Sequence, residues 1–160
     1  TLDKVNDHYL QINSDYIGCV DDTCLATGEL LPVKDTPFDF NKRKRIGQDL
    51  EADHIQLKNA FGYDHSFVLN GTENQLTLEE PVSGRRLIIS TTAPVIQVYT
   101  GNFLKDGCIG KAGRVYENRE GVALETQLMP NAINTEENPS TILRKGDKFE
   151  SNTKYVFEIM

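Results

Sequence analysis

Three short stretches set ionisable or amide side chains among strand-forming apolar residues. "EGVALETQLMPNAIN" (120–134) carries Glu125 among Val122, Leu124, Leu128 and Met129, and its apolar run stops at Pro130. "FGYDHSFVL" (61–69) places Asp64 and His65 between a glycine turn and an apolar strand, and in "VIQVYTGN" (95–102) Gln97 interrupts Val95, Ile96 and Val98. A buried charge is costly unless it is paired or used. Two carboxylates and an amide held on rigid strands suit a concave site of sugar size, where hydroxyls need fixed acceptors and donors. Each position also has a structural reading. Glu125 on an alternating strand is compatible with solvent exposure. Asp64 beside Gly62 has the chemistry of a turn or cap, and Gln97 that of a satisfied amide on a sheet face. His65 and His8 read as structural imidazoles bonded to backbone, and His54 as exposed in a charged loop. Sequence spacing alone does not bring the three stretches together.

The elements that must position these groups have a period of two. "YLQIN" (9–13), "QLTLE" (75–79) and "YVFEI" (155–159) alternate polar and apolar, as half-buried antiparallel strands do. "RLIIST" (86–91), "VIQVYT" (95–100) and "GVALETQL" (121–128) are more apolar and suit inner strands. Turn residues separate them at "NG" (70–71), "SGR" (83–85), "KDG" (105–107) and "RKGDK" (144–148). Only "IGQDLEADHIQLKNA" (46–60) has room for a turn or two of helix. The fold class this predicts is all-β, a sandwich of many short strands.

With 160 residues the chain can bury a real core as one domain or a large piece of one. A net charge of −7 repels phosphate backbones, so no nucleic-acid partner is expected. The one basic spot, "NKRKR" (41–45), reads as a solvated loop rather than a phosphate contact. Cys19, Cys24 and Cys108 form neither a disulfide framework nor the paired spacing of a zinc site. Free thiols and the lack of a signal pattern predict a cytoplasmic setting, with no metal and no membrane partner. No nucleophile elbow, P-loop or dinucleotide-binding glycine pattern occurs.

Read in order, the same segments resemble the aldose 1-epimerases, the galactose mutarotase family. "DHYLQINSDYIGCVDDTCLATGELLPVKDTPFDF" (7–40), with its aspartate pair, "TGE" and "TPFDF", is followed by "FGYDHSFVL", "SGRRLIISTTAPVIQVYTGNFL" (83–104) and "ALETQLMPNAIN" (123–134). The resemblance covers nearly the whole chain. It implies a β-supersandwich of mostly antiparallel strands and an isomerase of carbohydrate metabolism that interconverts the α and β anomers of free aldohexoses such as galactose and glucose, without a cofactor. It also implies roles. Glu125 in "LETQ" would be the general base, a partly desolvated carboxylate taking the anomeric proton. Asp64 in "GYDH" and Gln97 in "QVYTGN" would bind the sugar.

The resemblance further implies that residues 1–160 are the C-terminal portion of a single mutarotase-like domain, with an N-terminal half as partner. Family members carry upstream a substrate-binding arginine, a "His-Gly-Gly"-like turn and an "Asn-His-x-Tyr-Phe-Asn-Leu" motif whose histidine is the general acid. None of these motifs occurs here, and His8 in "NDHYLQI" matches a later, non-catalytic strand. Two other functions fit the residues. One is a non-catalytic carbohydrate-binding module. The other is a phosphosugar (hexose 6-phosphate) 1-epimerase, for which Arg85 and Arg86 are the local phosphate candidates.

Overall fold

A computed structural model describes residues 4–105, 109–111, 113–135 and 141–160; Asp106 and Gly107 of the expected 105–107 turn, and Cys108, lie outside the described residues. Two antiparallel five-stranded sheets face each other. One has the order β10 (Thr153–Ile159), β7 (Arg85–Thr91), β6 (Leu76–Glu80), β1 (Tyr9–Ile12), β4 (Lys44–Arg45). The other runs β3 (Ala26–Pro32), β2 (Ser14–Val20), β5 (Asp64–Leu69), β8 (Val95–Tyr99), β9 (Ala123–Gln127). The all-β expectation holds: the alternating runs become β1, β6 and β10, and of the more apolar runs β7 and β8 are inner strands as expected, whereas β9 is an edge.

Alternation decides which side chains fill the space between the sheets. Leu10, Ile12, Leu76 and Ile89 come from the first sheet, and Ile17, Phe67, Ile96 and Val98 from the second. Between them Phe38, Phe40, Tyr63 and Phe67 pack edge to face, with ring centroids 5.2 to 6.1 Å apart. Such pairing adds to the large area that each ring buries.

β2 and β3 escape a period-two reading. Gly18 interrupts β2, its pairing shifts register between Ser14 and Tyr16 and again between Gly18 and Val20, and Gly28 and Pro32 sit inside β3. The helical potential of 46–60 resolves into a 3₁₀ turn at Ile46–Gln48 and α1 (Ile55–Ala60). His54 is not the exposed loop residue expected. It is half-buried and caps α1, its Nδ1 accepting the Gln56 N–H at 3.2 Å.

Within the basic stretch, residues 41–43 are the exposed loop expected, while the next two residues join the sheet edge. Lys44 and Arg45 form β4, and Arg43 Nε donates to Glu79 Oε2 at 2.5 Å while its guanidinium lies 3.6 Å from the Tyr9 ring centroid. Lys44 Nζ reaches Pro37 O and Asp49, and Arg45 pairs with Asp7. These cations are occupied by the fold's own outer surface because a short edge strand brings them over acidic and aromatic neighbours.

His65 is structural, as expected. Its ring is fully buried, Nδ1 accepts the Asp64 N–H at 3.1 Å, and Nε2 meets Gln56 Oε1 at 3.2 Å. The accepted bond at Nδ1 places the proton on Nε2, which then donates to Gln56. Gln56 in turn bonds both backbone groups of Val20, so β5, α1 and β2 are joined through one amide. The His8 imidazole is half-buried against the backbone of Lys4 and Val5; burial lowers its pKa, and Glu80 and those backbone groups draw part of the shift back.

Burial holds the His65 imidazole neutral, lowering its pKa from 6.5 to about 3. The unfolded chain therefore binds a proton that the native chain does not, across the whole window between those values. Stability is at its full value above pH 6.5 and falls as pH drops toward 3, by up to about 1.4 kcal/mol per pH unit from this group. His65→Asn, whose Oδ1 can replace Nδ1 as acceptor, is expected to lose stability at pH 7 and to show a shallower decline below pH 6.5. Urea midpoints measured from pH 7 to 4 check this. Parallel curves for the two proteins would contradict it.

Candidate functional site

β5, β8 and β9 are neighbours in one sheet, and their registers align the three residues picked out from the sequence. Ser66 lies opposite Gln97, and Gln97 opposite Glu125. Cross-strand partners point to the same side of a sheet, and residues two apart do as well. Asp64, Ser66, Gln97 and Glu125 therefore share the outward face, while His65, Phe67, Ile96 and Val98 point into the core. The sheet brings together all three candidates.

Side-chain bonds tie the row. Gln97 Nε2 donates to Asp64 Oδ1 at 2.7 Å, and Ser66 Oγ donates to Gln97 Oε1 at 2.5 Å. The amide is thereby oriented, its nitrogen toward Asp64 and its oxygen toward Ser66. Asp64 is neither a turn nor a cap but the first residue of β5. Burial raises its carboxyl above the ordinary carboxylate value, and the bond from Gln97 draws part of that rise back. Gln97 is satisfied, as its structural reading had it, and it is satisfied by the other candidate.

Glu125 is exposed. The desolvation expected for it is not supplied by these residues, because β9 is the edge of its sheet and Glu125 points away from the core. Beneath Asp64, Ser66 and Gln97 is a recess of about 80 Å³, closed by Gly18, Cys24, Met129 and Pro130. Typical small-molecule sites enclose about 300–1,000 Å³, so the recess is the floor of a site rather than the whole of one. At Gly18 a Cβ would come 3.1 Å from Met129 Sδ, so a larger residue there would push the Met129 side chain by a few tenths of an ångström. Arg85 and Arg86 lie on β7 in the other sheet, with Arg86 held by Glu79 and Glu158. They are not beside the row.

Ser66 was not among the sequence candidates, although its place two residues after Asp64 puts it on the same strand face. Thr100, Asn102 and Arg119 were missed as well. They cluster just past the ends of β8 and β5, and nothing in their spacing signals it. Among the described residues no group of three or more His, Cys, Asp or Glu side chains is placed to hold a metal ion. None of the described helices is long and apolar enough to cross a membrane.

The aldose 1-epimerase family profile matches residues 1–156. Human galactose mutarotase is 37% identical over 159 residues, covering 98% of this chain and 45% of the human protein. An aldose 1-epimerase of Haemophilus influenzae is 35% identical over 159 residues, covering 96% of this chain and 46% of that protein. Among solved structures, an aldose epimerase homologue from C. elegans superposes with a TM-score of 0.88 at 31% identity, over 99% of this chain and 47% of that one. The chain thus spans about half the length of these relatives (45–47%). With its two antiparallel sheets and its row of outward polar residues, the chain belongs to the aldose 1-epimerase family.

Proposed function

We propose that this chain carries the base and sugar-positioning side of an aldose 1-epimerase site acting on free aldohexoses such as galactose and glucose. The observation that carries the reading is the row itself. A carboxylate at Glu125 stands directly across the ladder from Gln97, which is bonded to Asp64, on one face of three adjacent strands. Glu125 takes the proton of the anomeric hydroxyl as the ring opens. The C1–C2 bond rotates, and the ring closes from the opposite face with the proton returned to the new anomeric oxygen. Asp64 and Gln97 hold the other hydroxyls so that the reacting oxygen meets Glu125 at bonding distance. The ring oxygen must be protonated during opening, and that acid comes from the N-terminal half of the same polypeptide, the partner proposed for this chain.

Two features support such a partner. The recess is too small for a whole sugar, and Tyr155, Phe157 and Ile159 on β10 are exposed on the same side of the sheet as buried Ile89, with Phe157 77% and Ile159 75% accessible. An exposed apolar face of this size invites further chain. Free Cys19 and Cys24 suit the cytoplasmic setting proposed for the protein. The phosphosugar reading loses its two local arginines to the other sheet.

Polarimetric mutarotation of galactose, measured on the natural polypeptide that contains these residues, tests the roles. Glu125→Gln is expected to lower kcat about 10²- to 10⁴-fold with little change in KM. Asp64→Asn is expected to raise KM about tenfold or more, as removal of a charged hydrogen-bond acceptor does. If Glu125→Gln leaves kcat intact, Glu125 is not the base; if the parent polypeptide binds galactose without mutarotation and Glu125→Gln changes that affinity alone, the epimerase reading fails and a carbohydrate-binding module replaces it.

A further inference from the structure

We infer that Arg119 is a positioning residue for the sugar-binding row, acting through Asp64 and not on the sugar; this rests on the reading of Asp64 as a sugar ligand. The last paired row of the sheet is Asp64, Tyr99 and Ala123. Immediately past it the three strands become loops: residues 60–63 leading into β5, Thr100–Asn102 leaving β8, and 119–122 leading into β9. Backbone carbonyls at such a sheet end have lost their ladder partners, and buried ones must find others.

Arg119 and Asn102 supply the missing donors. Asn102 Nδ2 donates to Ala60 O at 2.6 Å and to Tyr63 O at 3.2 Å, and Arg119 Nη2 donates to Phe61 O at 2.5 Å. Arg119 Nη1 donates to Thr100 Oγ1 at 3.2 Å and also to Asn102 Oδ1. The Arg119 backbone N–H reaches Gly101 O at 2.9 Å. One guanidinium therefore binds all three loops. Its planar fork holds the acceptors in fixed relative positions, and burial of Thr100 and Asn102 strengthens the two bonds to their side chains by removing competing water.

The contact with the lead-in to Asp64 is close. Gly62 has φ +135°, and a Cβ there would lie 2.6 Å from Arg119 Nη1 and 2.8 Å from Nη2. The guanidinium lies against the backbone two residues before Asp64, on a stretch also anchored by the buried Tyr63 ring and by Thr100 and Asn102 at Tyr63 O. Arg119 also takes up φ +74°, a conformation unfavourable for its side chain, which the cluster must offset. Without the guanidinium, Phe61 O and Asn102 Oδ1 lose the donor they share, and the lead-in to Asp64 keeps its anchor at Tyr63 but loses the one at Phe61 O. A misplacement of 1 Å at such a residue is enough to lower turnover about 10²-fold.

A double-mutant cycle tests this in the natural polypeptide. Arg119→Met is expected to lower kcat/KM for galactose about 10- to 100-fold, mainly through KM, and Arg119→Lys, which offers one point donor in place of a fork, to restore part of the loss. In an Asp64→Asn background the same Arg119→Met change is expected to matter less than about threefold, because its target is already gone. An equal loss in both backgrounds would show a general stabilising role and overturn the inference while leaving Asp64 as a sugar ligand. So would an Arg119→Met protein with kcat/KM within about twofold of the parent. If Asp64→Asn alone leaves kcat/KM unchanged, the sugar-ligand reading falls and the inference with it. Should Arg119→Met fail to fold, Arg119→Lys carries the same cycle.

Discussion

The one-sided burial of the sheet containing β5, β8 and β9 is the constraint on which the site depends. Phe67, Ile96, Val98 and Leu124 face the core, so their neighbours Ser66, Gln97 and Glu125 must face out. A one-residue slip of β8 would expose Ile96 and Val98 and drive Gln97 inward. Each such apolar side chain left in water forfeits about 1.5–3 kcal/mol. The polar row is thus held in register by residues that never touch it.

Adjacent polar residues meet opposite fates under that constraint. Asp64 and His65 are consecutive, yet Asp64 joins the outward row while His65 lies fully buried in a hydrogen-bonded chain to Gln56 and Val20. The imidazole is kept neutral and serves packing. The carboxylate, half-buried beside Gln97, keeps access to the recess. Period two in a strand separates structural from chemical groups without any change of composition.

The ends of the strands follow different rules from their middles. Within the sheet the ladder satisfies the backbone. Beyond the row of Asp64, Tyr99 and Ala123 side chains contribute, with Asn102 reaching Ala60 across 42 positions and Arg119 reaching Phe61 across 58. On the first sheet's outer face the same economy turns Arg43, Arg86 and Glu79 into a local charge cluster over Tyr9. Basic residues that look free in the sequence are thereby occupied.

The fold class and most of the strands were legible in the sequence because alternation is a local property, and contiguous motifs such as "GYDH" and "LETQ" were enough to single out Asp64 and Glu125 as candidates. The sequence did not disclose β2 and β3, where Gly18, Gly28 and two register shifts hide the period. Nor did it disclose which side of Glu125 is wet, or that Arg119 reaches Phe61. The tertiary structure alone sets β5, β8 and β9 side by side, which puts three distant stretches on one sheet face. It also decided that β9 is an edge, leaving Glu125 exposed. The physical reason is the same in each case: strand pairing and sheet order are set by non-local burial and hydrogen bonding, and no local pattern of residue types encodes which strand will be the neighbour.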